Sequence, residues 1–208
     1  LQLKIYNQNK NNIRILIMFT IKPVVALVTG GSRGIGQAIA NGLAKQGVIV
    51  AATATSEEGA AAISKSFKDQ GYNGKGFAFN VNDEEALPLL LDSIKEQMGS
   101  APSILVNNAG ITRDNIILRM KPEQWEDVIT TNLNGVYRIT KACLKPMVKA
   151  RWGRIINITS VSGLIGNFGQ ANYSAAKAGV AAFSKSLARE VASFGITVNC
   201  VSPGLLKL

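Results

Sequence analysis

Two kinds of hydrophobic pattern alternate along the chain from residue 23 onward. Short, nearly continuous apolar runs rich in β-branched residues predict strands at 24–29, 48–53, 76–79, 103–107, 154–159 and 196–201. Longer stretches with apolar residues at helical spacing predict helices at 34–46, 57–70, 83–98, 122–150 and 172–194. Apolar strands without polar alternation are typical of a parallel sheet that is covered on both faces. The pattern therefore predicts an α/β fold with a doubly wound parallel sheet.

Glycines follow the predicted helices. We interpret Gly47, Gly71, Gly99, Gly153 and Gly195 as the residues just beyond successive helix C-termini. The long helix predicted at 122–150 carries an apolar stripe, which we interpret as facing the core. An alternative gives this helix an added part in a subunit interface.

The start of the chain differs from the rest. Residues 1–17 are rich in Asn, Lys and Gln, and they end just before Met18. We expect residues 1–22 to form an N-terminal extension that is disordered or non-native, with Met18 as the native start. Residues 23–208 are then expected to form one domain, because about 150–200 residues suffice for a single core.

Composition excludes several classes of protein. Apolar residues make up 47% of the 208 residues, which argues against a disordered chain. No apolar run approaches the roughly 20 residues of a membrane span. The chain has no histidine, so a Ser-His-Asp triad is excluded and no metal site is predicted. Cys143 and Cys200 lie in apolar surroundings, and we expect both to be buried free thiols of a cytoplasmic protein.

The formal net charge of +10 leaves two interpretations open. One is an ordinary solvated basic surface, and the other is an acidic partner or a polyanionic substrate. Nucleic acid is disfavoured because the basic residues are scattered. Only Lys145, Lys149, Arg151 and Arg154 form a local cluster.

Tyr173 and Lys177 are the first candidates for chemistry. They are four residues apart on a predicted helix, so their side chains share a face, and Ser160 precedes Tyr173 by thirteen residues. A neighbouring ammonium favours a phenolate, so we expect Lys177 to lower the pKa of Tyr173. A tyrosine tuned in this way could transfer a proton near neutral pH. Chance spacing or a pair on the helix surface is the alternative.

The run Thr29-Gly30-Gly31-Ser32-Arg33-Gly34-Ile35-Gly36 joins the first predicted strand to the first predicted helix. A glycine-rich turn in this position is typical of a dinucleotide-binding loop, whose helix N-terminus faces a diphosphate. An ordinary glycine-rich turn is the alternative. Asn107-Asn108-Ala109-Gly110, Ser160 and Pro203-Gly204 follow later strands, where open α/β sheets place ligand loops. Asn132 lies inside the long helix, where an asparagine is neutral to unfavourable unless its amide has a task; a satisfied polar group is the alternative.

The end of the second strand indicates which dinucleotide would bind. Proteins that bind NAD usually place an acid there to hold the ribose hydroxyls. This chain reads Ala51-Ala52-Thr53-Ala54-Thr55, without a carboxylate. Arg33 could donate charged hydrogen bonds to a 2′-phosphate, so we predict NADP(H), with Arg33 and Thr55 as phosphate ligands.

From about residue 23 to its end, the chain resembles the short-chain dehydrogenase/reductase family. The resemblance rests on the motifs T-G-G-S-R-G-I-G, N-N-A-G, Y-S-A-A-K and P-G, together with Asn132 and Ser160. Longer runs, such as R-W-G-R-I-I-N-I-T-S-V and G-Q-A-N-Y-S-A-A-K-A-G, are most similar to those of bacterial members that reduce 3-oxoacyl thioesters of acyl carrier protein.

The resemblance implies a Rossmann fold and reduction of a carrier-bound 3-ketoacyl thioester, a step of fatty acid biosynthesis. Tyr173 would donate the proton, Ser160 would bind the carbonyl oxygen, Lys177 would hold the nicotinamide ribose and Asn132 would position a water. The implied cofactor residues are Gly30, Ser32, Arg33, Gly34, Ile35, Gly36, Thr55, Asn80, Val81, Asn108, Ala109, Gly110, Tyr173, Lys177, Pro203 and Gly204.

The resemblance also implies partners. Acyl carrier protein is acidic and would dock at the basic cluster, with Arg151 as the best contact. A second family contact is in doubt because the usual A-S-R-G run reads Ala192-Ser193-Phe194-Gly195. A homotetramer is implied for the full-length protein.

The chain departs from the family pattern after Pro203-Gly204. The family continues with a substrate-covering segment and a further strand, whereas only Leu205 to Leu208 follow here. We expect residues 196–201 to form an exposed sheet edge. Two hypotheses follow: an NADPH-dependent ketoacyl reductase present as an incomplete copy, or an inactive remnant that binds nucleotide. An acetoacetyl-CoA reductase and another short-chain alcohol dehydrogenase are the alternatives among enzymes.

Overall fold

A computed structural model of the chain describes residues 24–204, and these form one parallel sheet with helices on both faces. The strands are β1 (Val25–Val28), β2 (Ile49–Ala54), β3 (Gly74–Ala78), β4 (Ile104–Asn107), β5 (Gly153–Ile158) and β6 (Ile196–Val201). The prediction of a doubly wound parallel sheet is confirmed. The predicted extension at 1–22 and the residues 205–208 lie outside the described residues, so the domain boundary stays a prediction.

The helices agree closely with their predicted positions. They are α1 (Gly34–Lys45), α2 (Glu57–Asp69), α3 (Ala86–Met98), α4 (Pro122–Ile129), α5 (Gly135–Ala150), α6 (Ser162–Ile165) and α7 (Ala171–Val191). A π-helical turn (Thr130–Asn134) separates α4 from α5, and a 3-10 turn (Ala192–Phe194) follows α7. The single helix predicted at 122–150 is therefore interrupted, and the short α6 was not predicted.

The strand order fixes where a ligand can bind. The order is β3-β2-β1-β4-β5-β6, with every neighbouring pair parallel. The chain builds outward from β1 in one direction and then from β4 in the other. Such a reversal opens a crevice between the loops at the carboxyl ends of β1 and β4, the usual ligand site of these sheets.

Two apolar clusters hold the sheet between its helices. Because side chains alternate along a strand, Leu27 and Val28 of β1 point to opposite faces and belong to different clusters. The cluster around Leu27 contains side chains of α3, α5 and α7, and the cluster around Val28 contains side chains of α1 and α2. Both residues are fully buried. The ends of β1 and β4 are therefore held rigidly beneath the crevice.

Two expectations about single residues are wrong. Cys143 is buried as expected, but Cys200 is exposed, because β6 is an edge strand and four of its six residues are exposed. The expectation of an exposed edge at 196–201 is confirmed for the described part of the chain.

Gly153 does not end a helix. Arg151 adopts the left-handed conformation there, and Gly153 begins β5, where a Cβ would lie 2.7 Å from Sδ of Met147.

Candidate active site

The glycine-rich loop between β1 and α1 is tied to two neighbouring strands. Gly31 N donates to Thr53 O at 2.8 Å, and Gly30 N donates to Thr53 Oγ1 at 3.2 Å. The amide of Asn108 donates to Thr29 O and Gly30 O, both at 3.0 Å. The loop is thus fixed from β2 on one side and from the end of β4 on the other.

The N-terminus of α1 is open to an anion. Its N-cap residue, Arg33, makes no capping hydrogen bond with its side chain, and the first helical turn contains no acid. The first N–H groups of a helix lack internal partners and lie at its positive dipole end. A Cβ at Gly34 would meet nothing within 4 Å, whereas one at Gly36 would lie 2.0 Å from Gly30 O. Close packing inside the loop and open space outside it fit a bound diphosphate.

A cavity of about 1160 Å³ lies over this loop. It is large enough for a dinucleotide, since pockets for smaller ligands enclose roughly 300–1000 Å³. The predicted cofactor residues that line it are Gly30, Ser32, Arg33, Gly34, Ile35, Gly36, Thr55, Asn80, Val81, Asn108, Ala109 and Gly110. Sequence reasoning missed further lining residues, among them Phe79, Asn82, Ile111 and Thr131.

Pro203 and Gly204 are not brought to this cavity. Neither is among the residues that line it, and Pro203 O accepts a hydrogen bond from Val161 N at 3.1 Å. The structure therefore places the P-G motif beside the turn that follows Ser160.

Tyr173 and Lys177 are also not among the residues that line the cavity, but Lys177 lies beside Gly110, which does line it. The Lys177 side chain is buried, and its Nζ donates to Ile158 O at 2.8 Å. Burial lowers the pKa of Lys177 to about 8. A Cβ at Gly110 would lie 3.7 Å from Lys177 Nζ and 3.1 Å from Asn132 Oδ1. The absence of a side chain at Gly110 thus keeps open the space in which the catalytic candidates converge.

The pKa of Tyr173 moves in the direction opposite to the one predicted. Burial of the half-buried phenol raises this pKa, a hydrogen bond with Ser160 lowers it, and the charge of Asp114 raises it, with the net effect upward. Lys177 Nζ lies over the tyrosine ring, 5.6 Å from its centroid, and is hydrogen-bonded to Ile158 O. The expectation that Lys177 lowers this pKa is therefore wrong. Tyr173 keeps its proton at neutral pH and can act as a donor.

Ser160 and Asn132 complete the group. Ser160 follows β5, accepts a hydrogen bond from Ser162 N at 3.2 Å and also bonds Tyr173. Asn132 lies in the π-helical turn and is fully buried. It accepts from Ile111 N and donates to Ile111 O, both at 2.8 Å. The amide is thus paired with the backbone of Ile111, and its predicted catalytic role stays a prediction. π-helical turns occur frequently at functional sites.

Thr29 is a structural residue of the site that sequence reasoning did not single out. Its Oγ1 accepts hydrogen bonds from Asn108 N and Ala109 N, both at 3.0 Å. The threonine thus joins the glycine-rich loop to the N-N-A-G run. Its position directly after the apolar strand and before Gly30 was the available signal.

The basic cluster lies beside the turn after α7. Arg151 donates to Ser193 O at 2.8 Å and stacks on Phe194, 5.9 Å from the ring centroid. Arg154 donates to Gly195 O at 3.1 Å and stacks on Trp152 at 4.7 Å. Lys145 and Lys149 are exposed. The aromatic rings orient both guanidinium groups while they remain accessible.

Comparison with known proteins identifies the family. The sequence profile described as short chain dehydrogenase matches residues 24–207. The chain belongs to the short-chain dehydrogenase family. Membership makes it an oxidoreductase that uses a nicotinamide cofactor.

Curated relatives carry a more specific name. The chain is 58% identical over 183 residues to the 3-oxoacyl-[acyl-carrier-protein] reductase FabG of Vibrio harveyi, a match that covers 88% of this chain and 73% of the relative. The FabG protein of Escherichia coli strain K12 gives the same identity and coverage. The FabG protein of Pseudomonas aeruginosa is 55% identical over 182 residues, with 88% and 73% covered.

Between residues 24 and 204, no helix combines the length and the apolar character that a membrane span requires. In the same part of the chain, no group of three or more His, Cys, Asp or Glu side chains could hold a metal ion.

Proposed function

We propose that the chain catalyses the NADPH-dependent reduction of 3-oxoacyl-[acyl-carrier-protein] to 3-hydroxyacyl-[acyl-carrier-protein] in fatty acid biosynthesis. The relatives at 55–58% identity all carry this reductase name. The observation that carries the proposal is the convergence of Tyr173, Ser160, Lys177 and Asn132 beside Gly110, a residue that lines the dinucleotide-sized cavity.

Each of the four site residues would have a separate role in the reduction. A bound reduced nicotinamide would supply the hydride. Ser160 would donate a hydrogen bond to the keto oxygen, and Tyr173 would donate its proton to that oxygen as negative charge develops there. The raised pKa of Tyr173 suits this direction, because the phenol is protonated at neutral pH. Lys177 would hold the nicotinamide ribose through its ammonium, and Asn132 would position a water that returns the proton.

The preference for NADP(H) rests on Arg33 and Thr55. Both are exposed and line the cavity at the ends of the glycine-rich loop and β2. β2 ends at Ala54 and is followed by Thr55, so the end of this strand carries no carboxylate that would repel a 2′-phosphate. Asn80 and Val81 line the same cavity and would frame the adenine. Tighter binding of NADH than of NADPH would contradict this assignment.

Acyl carrier protein is the proposed partner, received at Lys145, Lys149, Arg151 and Arg154. The accessible guanidinium groups present positive charge to an acidic surface. We also propose a homotetramer for the full-length protein and a cytoplasmic location. Tyr137 on the outer face of α5 is 47% exposed and meets Phe183 of α7 edge to face, which offers an aromatic contact to a second copy.

The test is NADPH oxidation with a 3-oxoacyl thioester of acyl carrier protein. Replacing Tyr173 by Phe keeps the ring and removes the proton, so kcat should fall by about 10²–10⁴-fold. Tyr137→Phe is the matched control, because its hydroxyl accepts a hydrogen bond from Lys141 on the outside of α5. That variant should turn over as the wild type does.

Three outcomes of this assay would contradict the proposal. Equal rates for wild type and Tyr173→Phe would remove Tyr173 from the chemistry. Equal or better turnover of the matching coenzyme A thioester would favour an acetoacetyl-CoA reductase. A wild type that binds NADPH without oxidising it would favour an inactive nucleotide-binding protein.

A further inference from the structure

The side chain of Gln170 connects three segments at the edge of the proposed active site. Its Nε2 donates to Asp114 Oδ2 at 3.0 Å, and its Oε1 accepts from Ser162 Oγ at 3.2 Å and from Asn167 Nδ2 at 3.0 Å. Gln170 is the N-cap residue of α7, directly before the helix that carries Tyr173 and Lys177. One amide therefore joins the turn after β5, the loop before α7 and the segment around Asp114.

Ser162 connects Gln170 to the catalytic candidates Ser160 and Tyr173. Ser162 is buried, and its backbone N–H donates to Ser160 Oγ at 3.2 Å. Ser160 in turn bonds Tyr173. A shift of Ser162 would move the hydroxyl that is to hold the keto oxygen. Displacements of about 1 Å cost an enzyme as much as 10²-fold in rate.

Asp114 sets which way the Gln170 amide faces. A carboxylate only accepts hydrogen bonds, so it selects the NH₂ group of the amide and leaves Oε1 for the two donors, Ser162 and Asn167. The segment that carries Asp114 is itself fixed to the start of α7. Asn115 N donates to Gly169 O at 2.8 Å, and the buried Asn172 donates from Nδ2 to Arg113 O at 3.0 Å. Asp114 is thus held in place to orient Gln170.

We infer that Gln170 is a positioning residue for Ser160 and that Asp114 fixes the orientation of the Gln170 amide. This inference rests on the proposed reductase function. Gln170 touches neither the keto oxygen nor the cofactor in this role; it acts through Ser162 on the geometry of the Ser160 hydroxyl.

An exchange of the two functional groups tests the inference. Gln170→Glu places a second carboxylate against Asp114, and two carboxylates at this distance repel each other. In the double variant Asp114→Asn/Gln170→Glu, the new amide donates to the new carboxylate, whose other oxygen still accepts from Ser162 and Asn167. Asp92→Asn/Gln170→Glu is the matched control, since it removes one negative charge from an exposed position of α3.

The expected result is a loss of rate that the exchange repairs. Gln170→Glu should lower kcat about 10-fold or more, with KM for NADPH changed by less than about 2-fold and the melting temperature by a few degrees at most. The exchanged pair should recover kcat to within about 3-fold of wild type, and Asp114→Asn alone should cost about 3-fold or less. The Asp92 control should stay at the Gln170→Glu level.

Three results would overturn the inference: wild-type kcat in Gln170→Glu, no gain from the exchange, or an equal gain from the Asp92 control. Turnover by the wild type reports separately on the proposed function. If the wild type is inactive, hydrogen exchange at the Ser162 amide still decides the matter in the same proteins. Exchange should be faster in Gln170→Glu and return to the wild-type rate in the exchanged pair; equal rates in all of them would reject the positioning role.

Discussion

Lys177 carries an ammonium group in a buried position, where loss of hydration disfavours its charged form. It is 5% exposed, and burial lowers its pKa from 10.5 to about 8. The single hydrogen bond to Ile158 O compensates only part of the lost hydration. A cofactor ribose would add hydrogen-bond acceptors for the ammonium. The site thus stores an unfavourable interaction that a bound ligand can relieve.

This burial predicts how stability depends on pH. Between about pH 8 and 10.5 the unfolded chain holds the Lys177 proton and the folded chain does not. Stability therefore rises with pH across this window, by on the order of 3 kcal/mol for this residue. Urea unfolding from about pH 7 to 10 should show the wild type gaining stability relative to Lys177→Met.

The control for this experiment is Lys185→Met, an exposed lysine on the same helix. Its stability should stay parallel to that of the wild type. Parallel curves for Lys177→Met as well would show that Lys177 is not buried as described. Tyr173 and Cys143 also contribute to the pH dependence above about pH 9, but both groups are present in all three proteins, so the comparison between the curves removes their contribution.

At the scale of elements, the close contact between α1 and the glycine-rich loop is the tightest constraint in the site. Gly36→Ala would place a Cβ 2.0 Å from Gly30 O and 2.4 Å from Asn108 Nδ2. The loop must then shift, at a cost of about 1–3 kcal/mol in stability. We expect a lower melting temperature and at least about a 10-fold loss in NADPH affinity by fluorescence titration.

Gly42→Ala is the matched control in the same helix. A Cβ at Gly42 would meet nothing within 4 Å. Alanine in a helix interior is more stable than glycine by about 0.5–1 kcal/mol, so this variant should melt higher and bind NADPH as the wild type does. Opposite shifts in the two variants would support the described contact, whereas matching shifts would contradict it.

The regular elements were largely predictable from sequence, and the irregular ones were not. The β-strands are apolar runs and α7 has strong helical spacing, so local pattern determined both. The π-helical turn at Thr130–Asn134 has no such pattern, and the hydrogen bonds within it join Asn132 to Ile111, 21 positions earlier in the chain. The sequence pattern predicted one continuous helix around Asn132 and did not predict the turn.

At the scale of the whole molecule, the sequence predicted the motifs that gather at the crevice, but not the contacts between residues far apart in the chain. The motif residues that line the cavity share one crevice because parallel topology places their loops at one sheet edge. The contact between Gln170 and Asp114 joins residues 56 positions apart. The raised pKa of Tyr173 depends on burial that only the folded chain creates. Neither feature leaves a local pattern.

Arg151, in the basic cluster, allows stability and partner recognition to be tested separately. Arg151 ends α5 with φ 52°, a conformation that costs most residues about 1 kcal/mol or more and glycine almost nothing. Replacement by glycine removes that strain and also removes the hydrogen bond to Ser193 and the stacking on Phe194. The two effects are of similar size, so Arg151→Gly should melt within a few degrees of the wild type.

Recognition of acyl carrier protein should nevertheless weaken in Arg151→Gly. The expected effect is a fall of about 3–10-fold in kcat/KM for the carrier-bound thioester and less than about 2-fold for the coenzyme A thioester, which lacks the acidic protein surface. The difference from wild type should shrink as salt is added, because screening weakens the attraction in both proteins.

The control is Lys68→Ala, which removes one charge from the last turn of α2 and should leave the ratio of kcat/KM for the two substrates unchanged. An equal fall for both substrates in Arg151→Gly would place the arginine in the chemistry or the fold, and an unchanged ratio would place the carrier protein elsewhere on the surface.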